Sequence, residues 1–76
     1  MQIKVYSTST CPYCKMAKQY LASKGLSYED IDVATNSGAA EEMVKLSGQM
    51  GVPVVVVDGQ SVVGFDKERI DSLISA

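Results

Sequence analysis

Hydrophobic and polar residues alternate with two different periods along the chain, and the first half predicts a strand, a helix and a strand. The runs QIKVYS and LSYEDIDV alternate apolar and polar positions, as short strands do. Between them, apolar residues recur at three- and four-residue steps, which predicts a helix that starts near Pro12 and ends at Gly25. Its predicted inner stripe is Tyr13, Met16, Ala17, Tyr20, Leu21 and Lys24.

The second half of the chain predicts a helix, a hairpin and a last helix. The segment NSGAAEEMVKLSG has Asn36 or Ser37 as a candidate N-cap and Gly48 as a stop signal. Two β-branched runs flank Asp58-Gly59, a dipeptide preferred in tight two-residue turns. The segment DKERIDSLISA predicts a helix capped by Asp66. The predicted buried positions of the two helices are Ala40, Met43, Val44 and Ser47, and then Ile70, Leu73 and Ile74.

These elements follow the order β-α-β-α-β-β-α, which predicts an α/β fold in one domain over residues 1–76. The first β-α-β unit implies parallel strands joined by a right-handed crossover, and the hairpin implies an antiparallel pair. We therefore expect a mixed four-stranded sheet flanked by three helices. The continuous valines at 54–57 predict a strand covered on both faces.

Composition and charge exclude several classes of function. The net charge is -2 and no cluster of Lys and Arg is available to neutralise phosphates, so nucleic acid is not an expected partner. The longest apolar run, Val52–Val57, is too short to span a bilayer, so no membrane partner is expected. The first residues lack the order of a signal peptide. We expect a cytoplasmic monomer.

Candidate chemistry is concentrated in the segment STSTCPYCKMAK, which holds both cysteines of the chain. Cys11 and Cys14 could form a structural staple, contribute to a metal site or act as a redox pair. A zinc site, or an iron–sulfur cluster, would need ligands from a second chain, since the sequence has no His and no third Cys. A C-x-x-C motif near a β-α-β pattern is typical of thioredoxin-like redox proteins, and this interpretation is favoured.

The predicted helix gives a physical reason for redox activity. Cys11 lies at or just before the predicted N-terminus, and Cys14 lies in the first turn, so the two sulfurs are close enough to bond. The exposed N–H groups and the positive end of the helix dipole favour a thiolate on Cys11. Without a histidine, only the helix N-terminus and Lys15 are candidates to stabilise that thiolate.

The motif C-P-Y-C, followed by G-V-P and by G-x-D after the hairpin, resembles the glutaredoxins, which have the thioredoxin fold. The resemblance extends over essentially the whole chain. It implies that Cys11 is the exposed nucleophile and Cys14 the resolving thiol, with Pro12 between them. It also implies that Tyr13 flanks the disulfide and covers glutathione, and that Pro53 is a cis-proline facing the cysteines.

The resemblance further implies a site for glutathione as co-substrate, with no bound cofactor and no metal. The backbone of Val52 would pair with the cysteinyl part, and Gly64, Phe65 and Asp66 would hold the γ-glutamyl end. Three of the implied roles have a structural alternative. Tyr13 could pack in the core, Pro53 could be an ordinary trans proline, and Asp66 could be only a helix cap.

Three positions depart from the family pattern. Thr8 stands where glutaredoxins often have Lys or Arg, Gly51 where they often have Thr, and Val63 where they often have the first Gly of Gly-Gly-x-Asp. Each departure weakens the expected recognition of glutathione, and the loss at Thr8 removes a charged partner for a carboxylate. Lys15 and Gln49 are candidate substitutes for that partner.

The expected function is therefore that of a dithiol oxidoreductase, which reduces glutathione-mixed and protein disulfides with electrons from a glutathione or thioredoxin reductase system. One alternative is a glutaredoxin-like electron carrier that is recycled by thioredoxin reductase for a specific protein such as ribonucleotide reductase. Another is a dimer that holds an iron–sulfur cluster through Cys11 and glutathione, although Pro12 disfavours that assignment because cluster binders of the family usually lack it.

Overall fold

A computed structural model describes residues 1–75 of the chain. The strands and helices follow the predicted order. The strands are β1 (Ile3–Ser7), β2 (Glu29–Asp32), β3 (Val54–Val57) and β4 (Gln60–Val63). The helices are α1 (Pro12–Ser23), α2 (Ser37–Ser47) and α3 (Lys67–Ile74).

The four strands form one mixed sheet in the order β2-β1-β3-β4. Strand β1 is parallel to β2, with Ser7 opposite Asp32, and antiparallel to β3, with Tyr6 opposite Val54. Strands β3 and β4 are antiparallel. The sheet confirms the predicted mixed architecture and places the end of β1, which leads to the cysteines, at the sheet centre.

The hairpin between β3 and β4 turns at Asp58 and Gly59, which both have positive φ angles, of 48° and 86°. Two consecutive positive φ angles match the twist of the flanking strands, and Asp-Gly is a dipeptide that tolerates them. All four residues of β3, Val54–Val57, are buried. The predicted hairpin and the predicted coverage of this strand on both faces are therefore confirmed.

Apolar side chains pack on both faces of the sheet, because residues along a strand point alternately to opposite sides. On one face, Val5 and Val55 join a cluster with Ala17 and Leu21 of α1 and Ile70 of α3. On the other face, the cluster comprises Tyr6, Val54, Val56 and Met43 of α2. Helices α1 and α3 therefore cover one face and α2 covers the other.

The buried face of α1 differs from the predicted stripe. Tyr13 and Met16 are 62% and 45% exposed, whereas Cys14, Ala17 and Leu21 are fully buried. The predicted period is right, but the helix is rotated by about one residue, so that Cys14 rather than Tyr13 and Met16 faces the core. Core packing, the structural alternative for Tyr13, is thus wrong.

Strand β2 is shorter than the run LSYEDIDV predicted. It begins at Glu29, because the Leu26 N–H still donates to the Leu21 carbonyl, 3.2 Å away, and turns the chain at the end of α1. Leu26 and Tyr28 pack instead against the cluster that α1 and α3 share. The apolar residues at the start of this segment therefore pack on the core, and only the later residues pair as a strand.

The helix caps follow the sequence signals. Asn36 is the N-cap of α2 and accepts a hydrogen bond from the Ala39 N–H, and Gly48 ends the helix. Asp66 is the N-cap of α3, and Ile70 is that helix's fully buried residue, with Leu73 and Ile74 partly buried. Ala76, at the end of the predicted last helix, lies outside the described residues. Within residues 1–75, every helix is too short or too polar to cross a membrane.

Candidate functional site

Cys11 is the N-cap of α1, at the point where the chain leaves β1 and turns into the helix. Its backbone is extended, and its Sγ atom accepts a hydrogen bond from the Cys14 N–H over 3.1 Å. Pro12 occupies the first helical position, where no N–H is needed. The Cys11 sulfur therefore caps the helix N-terminus by accepting one of its free N–H groups.

Cys14 lies one turn further on, and its side chain is fully buried. The two cysteines form a disulfide, and their Cα atoms are 5.2 Å apart. Cys11 is partly exposed, so the pair has an outer and an inner sulfur. An incoming sulfur compound can reach Cys11, whereas Cys14 can react only with what is already attached to Cys11.

Pro53 lies just before β3 and follows Val52, whose carbonyl faces the pair. The Val52–Pro53 peptide bond is cis, and Pro53 is buried. The Val52 carbonyl oxygen lies 4.0 Å from the Cys11 Sγ atom. The fold therefore joins the cysteine loop to a segment about forty residues away in the sequence, and the backbone of Val52 borders the reactive sulfur.

The segment of Gly64, Phe65 and Asp66 reaches the same region through Pro53. The Gly64 N–H donates to the Pro53 carbonyl over 2.9 Å. Phe65 packs edge-on against Tyr20 of α1, with ring centroids 5.8 Å apart. Asp66 is exposed, and its carboxylate accepts a hydrogen bond from the Arg69 N–H over 3.2 Å. Asp66 is therefore the N-cap of α3.

The remaining predicted residues lie at the rim of the pair. Tyr13 and Lys15 are exposed on the first turn of α1. Beside Cys11, an open cleft of about 430 Å³ is lined by the Thr8–Thr10 loop, Cys11, Pro12, Lys15 and Lys18. Of the three positions that depart from the family pattern, Thr8 lines this cleft, Gly51 is exposed and Val63 is 47% exposed.

Sequence reasoning missed a polar network behind this cleft. Ser7, at the end of β1, is only 2% exposed, and its hydroxyl donates to Asp30 Oδ1 over 2.8 Å. Lys18 Nζ lies 3.1 Å from Asp30 Oδ2 and 3.5 Å from Ser7 Oγ. The signal that could have found it is a serine at an otherwise apolar strand end, together with a lysine one turn beyond Cys14.

A second polar cluster ties α1 to α3. Tyr20 donates a hydrogen bond to the Asp71 carboxylate, and Lys24 Nζ lies 3.4 Å from the same carboxylate. The Tyr20 hydrogen bond is the main reason that the pKa of Asp71 is lowered, and it also raises the pKa of Tyr20. Both shifts favour the carboxylate and the neutral phenol, so the pair holds the helix of the cysteines against α3.

Tyr6 forms a comparable contact on the opposite face of the sheet. Its ring is fully buried, and its hydroxyl donates to the Glu42 carboxylate of α2. Burial, followed by the hydrogen bond to Glu42, raises the pKa of Tyr6 to about 12.

Across residues 1–75, no three His, Cys, Asp or Glu side chains cluster as metal ligands do.

The geometry can support thiol–disulfide exchange, because an accessible sulfur at a helix N-terminus is paired with a buried sulfur within bonding range. The three helices and the mixed four-stranded sheet form a thioredoxin-like fold, and with the cysteine pair they define a thioredoxin-fold redox protein. More narrowly, the chain belongs to the glutaredoxin family, whose model, described as Glutaredoxin, matches residues 3–62.

Individual relatives support that assignment. An uncharacterized glutaredoxin-like 8.6 kDa protein in a rubredoxin operon of Clostridium pasteurianum is 53% identical over 72 residues, which cover 95% of this chain and 96% of that one. Glutaredoxin 3 of Escherichia coli strain K12 is 41% identical over 64 residues, 84% of this chain and 77% of that one. The structure of NrdH-redoxin from Escherichia coli, a glutaredoxin-like protein with a thioredoxin-like activity profile, aligns with a TM-score of 0.85 at 30% identity, over 96% of this chain and 95% of that one.

Proposed function

We propose that the protein is a dithiol thiol–disulfide oxidoreductase that reduces glutathione-mixed and protein disulfides. The observation that carries this proposal is the asymmetry of the pair. The Cys11 sulfur is accessible and accepts an N–H from the helix, whereas Cys14 is fully buried. This arrangement supports attack on the substrate by Cys11 and resolution of the mixed disulfide by Cys14.

In the proposed reaction the reduced protein donates two electrons. The Cys11 thiolate attacks one sulfur of the substrate disulfide, a new S–S bond forms, and the other substrate sulfur leaves as a thiolate that takes up a proton. Cys14 then loses its proton and attacks the Cys11 sulfur, which releases the second substrate thiol. The products are two substrate thiols and the Cys11–Cys14 disulfide seen here.

Glutathione is the proposed source of the electrons that restore the dithiol. The Val52 backbone borders Cys11, as required for pairing with the cysteinyl part of glutathione like an added strand. Gly64 is hydrogen-bonded to the Pro53 carbonyl, and Gly64, Phe65 and Asp66 are the candidates for binding the γ-glutamyl end. Tyr13, exposed on the first turn of α1, is the candidate cover for the bound tripeptide.

A second candidate is an electron carrier that is reduced by thioredoxin reductase. Thr8 and Val63 favour it, because Thr8 offers a hydroxyl rather than a cation in the cleft beside Cys11, and Val63 presents an exposed side chain just before Gly64. The structural similarity to NrdH-redoxin, which has a thioredoxin-like activity profile, also favours it. Glutathione remains the first proposal because the C-P-Y-C motif is the commoner glutaredoxin centre.

The source of electrons decides between the two candidates. The oxidised protein is incubated with NADPH and either glutathione plus glutathione reductase or thioredoxin reductase alone, and NADPH oxidation is followed at 340 nm. The first proposal expects sustained turnover of a disulfide substrate with the glutathione system. Turnover with thioredoxin reductase alone, and none with glutathione, would replace it by the second. Failure of both systems would contradict the proposed oxidoreductase function itself.

A further inference from the structure

Strand β4 forms one border of the sheet, and β2 forms the other. The residues of β4, Gln60–Val63, include no charged side chain and no proline, whereas β2 is acidic. Charged residues and prolines are among the usual means by which a border strand is kept from pairing with another chain. Because β4 has neither, its outer edge is open to a further strand.

The outer edge of β4 presents backbone groups that the sheet does not use. The Gly64 N–H donates to the Pro53 carbonyl, so every second residue from Gly64 back to Gln60 bonds to β3. Ser61 and Val63 alternate with these residues, and their N–H and C=O groups therefore point away from β3. Beyond the strands, no backbone group among residues 1–75 bonds to either N–H.

Partly exposed apolar side chains flank this edge on the side of α2. Val62 packs in the cluster that α1 and α3 cover, so Ser61 and Val63 point to the opposite face of the sheet. The Ser61 hydroxyl donates to the Leu46 carbonyl of α2 over 2.9 Å. Leu46 is 39% exposed and Val63 is 47% exposed. The edge therefore combines free backbone groups with apolar surface.

We propose that a second copy of this chain pairs with β4, so that the two four-stranded sheets of a symmetric dimer join into one. In an antiparallel arrangement about a two-fold axis at Val62, Ser61 of each copy lies opposite Val63 of the other. Each such pair exchanges two N–H···O bonds, as the hydrogen-bonded pairs of an antiparallel ladder do. The inference does not depend on the proposed oxidoreductase function, and it replaces the monomer expected from the sequence with a monomer–dimer equilibrium.

A second copy fits this edge because one register satisfies the backbone and also covers the apolar side chains. Val63 of one copy lies opposite Ser61 of the other, and Ser61 is bonded to Leu46 of its own α2. Val63 is thereby brought toward Leu46 of the other copy, and the symmetry repeats this contact. The acidic β2 strands form both outer borders of the resulting dimer, so association stops at two copies.

The charge of the protein opposes this association at long range. Each copy carries a net charge of -2, and like charges repel. Salt screens the repulsion but leaves the backbone hydrogen bonds and the apolar contacts in place, so the dimer should be more populated in about 0.3 M salt than in about 0.01 M salt. A single strand pair is a small interface, which is typical of weak association.

Concentration series of the oxidised protein test the proposal. The oxidised form is used because both cysteines lie in the internal disulfide, so no thiol can link two chains. We expect the weight-average mass from sedimentation to rise toward twice the monomer value as the protein concentration approaches about 2 mM. In ¹⁵N spectra the amide signals of Ser61 and Val63 should shift most, and those of Gln60 and Val62, which bond to β3, should shift less.

A mixture of ¹³C-labelled and unlabelled chains tests the register. An isotope-filtered NOE experiment on this mixture detects only contacts between copies. We expect contacts between the Val63 methyl groups of one copy and the Leu46 side chain of the other. Contacts between copies that involve β2 or the cysteine loop instead would overturn the proposal.

Two variants with the same change of charge locate the interface. Val63→Lys places a cation on the β4 edge and should raise the dissociation constant about tenfold. Met16→Lys is the matched control, because Met16 lies on α1 and is 45% exposed, close to the 47% of Val63. This control corrects for the altered net charge and should not weaken the dimer. Circular dichroism at low concentration checks that both variants are folded.

The remaining outcomes name the other occupant. A monomeric mass at all concentrations, or a dimer that Val63→Lys leaves unchanged, would overturn the proposal. A further titration adds the unlabelled peptide acetyl-Thr-Val-Thr-Val-Thr-amide to dilute ¹⁵N-labelled protein. Shifts of Ser61 and Val63 with this peptide, but none with protein concentration, would assign the edge to strands of other polypeptides and show that the second copy is the wrong occupant. The NADPH assay of the proposed function is independent of all these results.

Discussion

The N–H of Cys14 donates to the Sγ atom of Cys11 over 3.1 Å, so the first turn of α1 contacts the outer sulfur of the pair directly. A hydrogen bond to the charged form of a group favours that form, so the same contact would stabilise a Cys11 thiolate once the disulfide is reduced. The buried partner, Cys14, supplies both the donor and the second sulfur. In the proposed reaction, Cys14 would therefore both activate the nucleophile and resolve the mixed disulfide.

The two cysteines should differ in their mutational effects. Cys11→Ser should abolish all exchange activity, since Cys14 is fully buried. Cys14→Ser keeps the backbone N–H and should retain reduction of glutathione-mixed disulfides while losing reduction of protein disulfides, which needs the second thiol. Both variants are assayed on a glutathionylated peptide and on an intermolecular protein disulfide. Activity of Cys11→Ser on either substrate would show that the roles are assigned wrongly.

The Tyr20–Asp71 pair should make stability depend on acid pH. The folded state lowers the pKa of Asp71 below its ordinary value of 3.8, chiefly through the Tyr20 hydrogen bond. A lowered pKa means that the contribution is present above pH 3.8 and is lost as the pH falls through the folded value. Tyr20→Phe should therefore destabilise the protein at pH 6 and have a smaller effect at pH 2.5.

Thermal unfolding of both proteins across that pH range checks this prediction. Tyr28→Phe removes a hydroxyl from a residue that packs on the same core, so it serves as the control, with no change in pH dependence expected. A Tyr20→Phe destabilisation of the same size at pH 2.5 and pH 6 would show that the hydrogen bond to the ionised carboxylate contributes nothing.

The rotation of α1 can be tested by truncating two of its apolar residues. Leu21 is fully buried, whereas Met16 is 45% exposed. Leu21→Ala should cost about 2–5 kcal/mol, because it removes buried methyl groups and leaves a cavity. Met16→Ala should change stability by less than about 0.5 kcal/mol. Urea unfolding of the oxidised proteins measures both, and equal costs would contradict the buried face described here.

Two glycines, one that ends α2 and one in its first turn, should respond in opposite directions to the same substitution. Gly48 ends the helix with a φ of 76°, a conformation that costs an L side chain about 1–2 kcal/mol, so Gly48→Ala should destabilise by about 1 kcal/mol. Gly38 lies in the first turn, where a Cβ would meet Asn36 Oδ1 at an ordinary 3.5 Å. Gly38→Ala should stabilise by about 0.5–1 kcal/mol. The urea concentration at the unfolding midpoint shows whether each variant is more or less stable, provided that the dependence of the unfolding free energy on urea is unchanged.

Most of the architecture could be predicted from local signals. The residues that cap helices or form the hairpin turn act on their own backbone neighbours, so their effect can be predicted from the sequence. They are Asn36, Gly48, Asp58-Gly59 and Asp66. The buried face of α1 was not predictable in the same way. Tyr13 and Met16 lie beside Cys14 and Ala17 on the helix surface, and only packing against the sheet decides which set is buried.

The candidate site shows the same division. The Cys11 cap and the buried Cys14 follow from a motif within four consecutive residues. The network of Ser7, Lys18 and Asp30 joins residues of β1, α1 and β2. These residues come into contact only because β1 and β2 pair in parallel. Long-range pairs of this kind have no periodic signature in a single sequence.

The outer strand β2 has a consequence for how the molecules behave in crowded solution. It forms one border of the sheet and carries Glu29, Asp30 and Asp32. A neighbouring molecule that tried to extend the sheet there would bring its own carboxylates against these three, and like charges discourage such stacking. Salt screens this repulsion, so concentrated solutions of the protein should resist fibre growth best at low ionic strength.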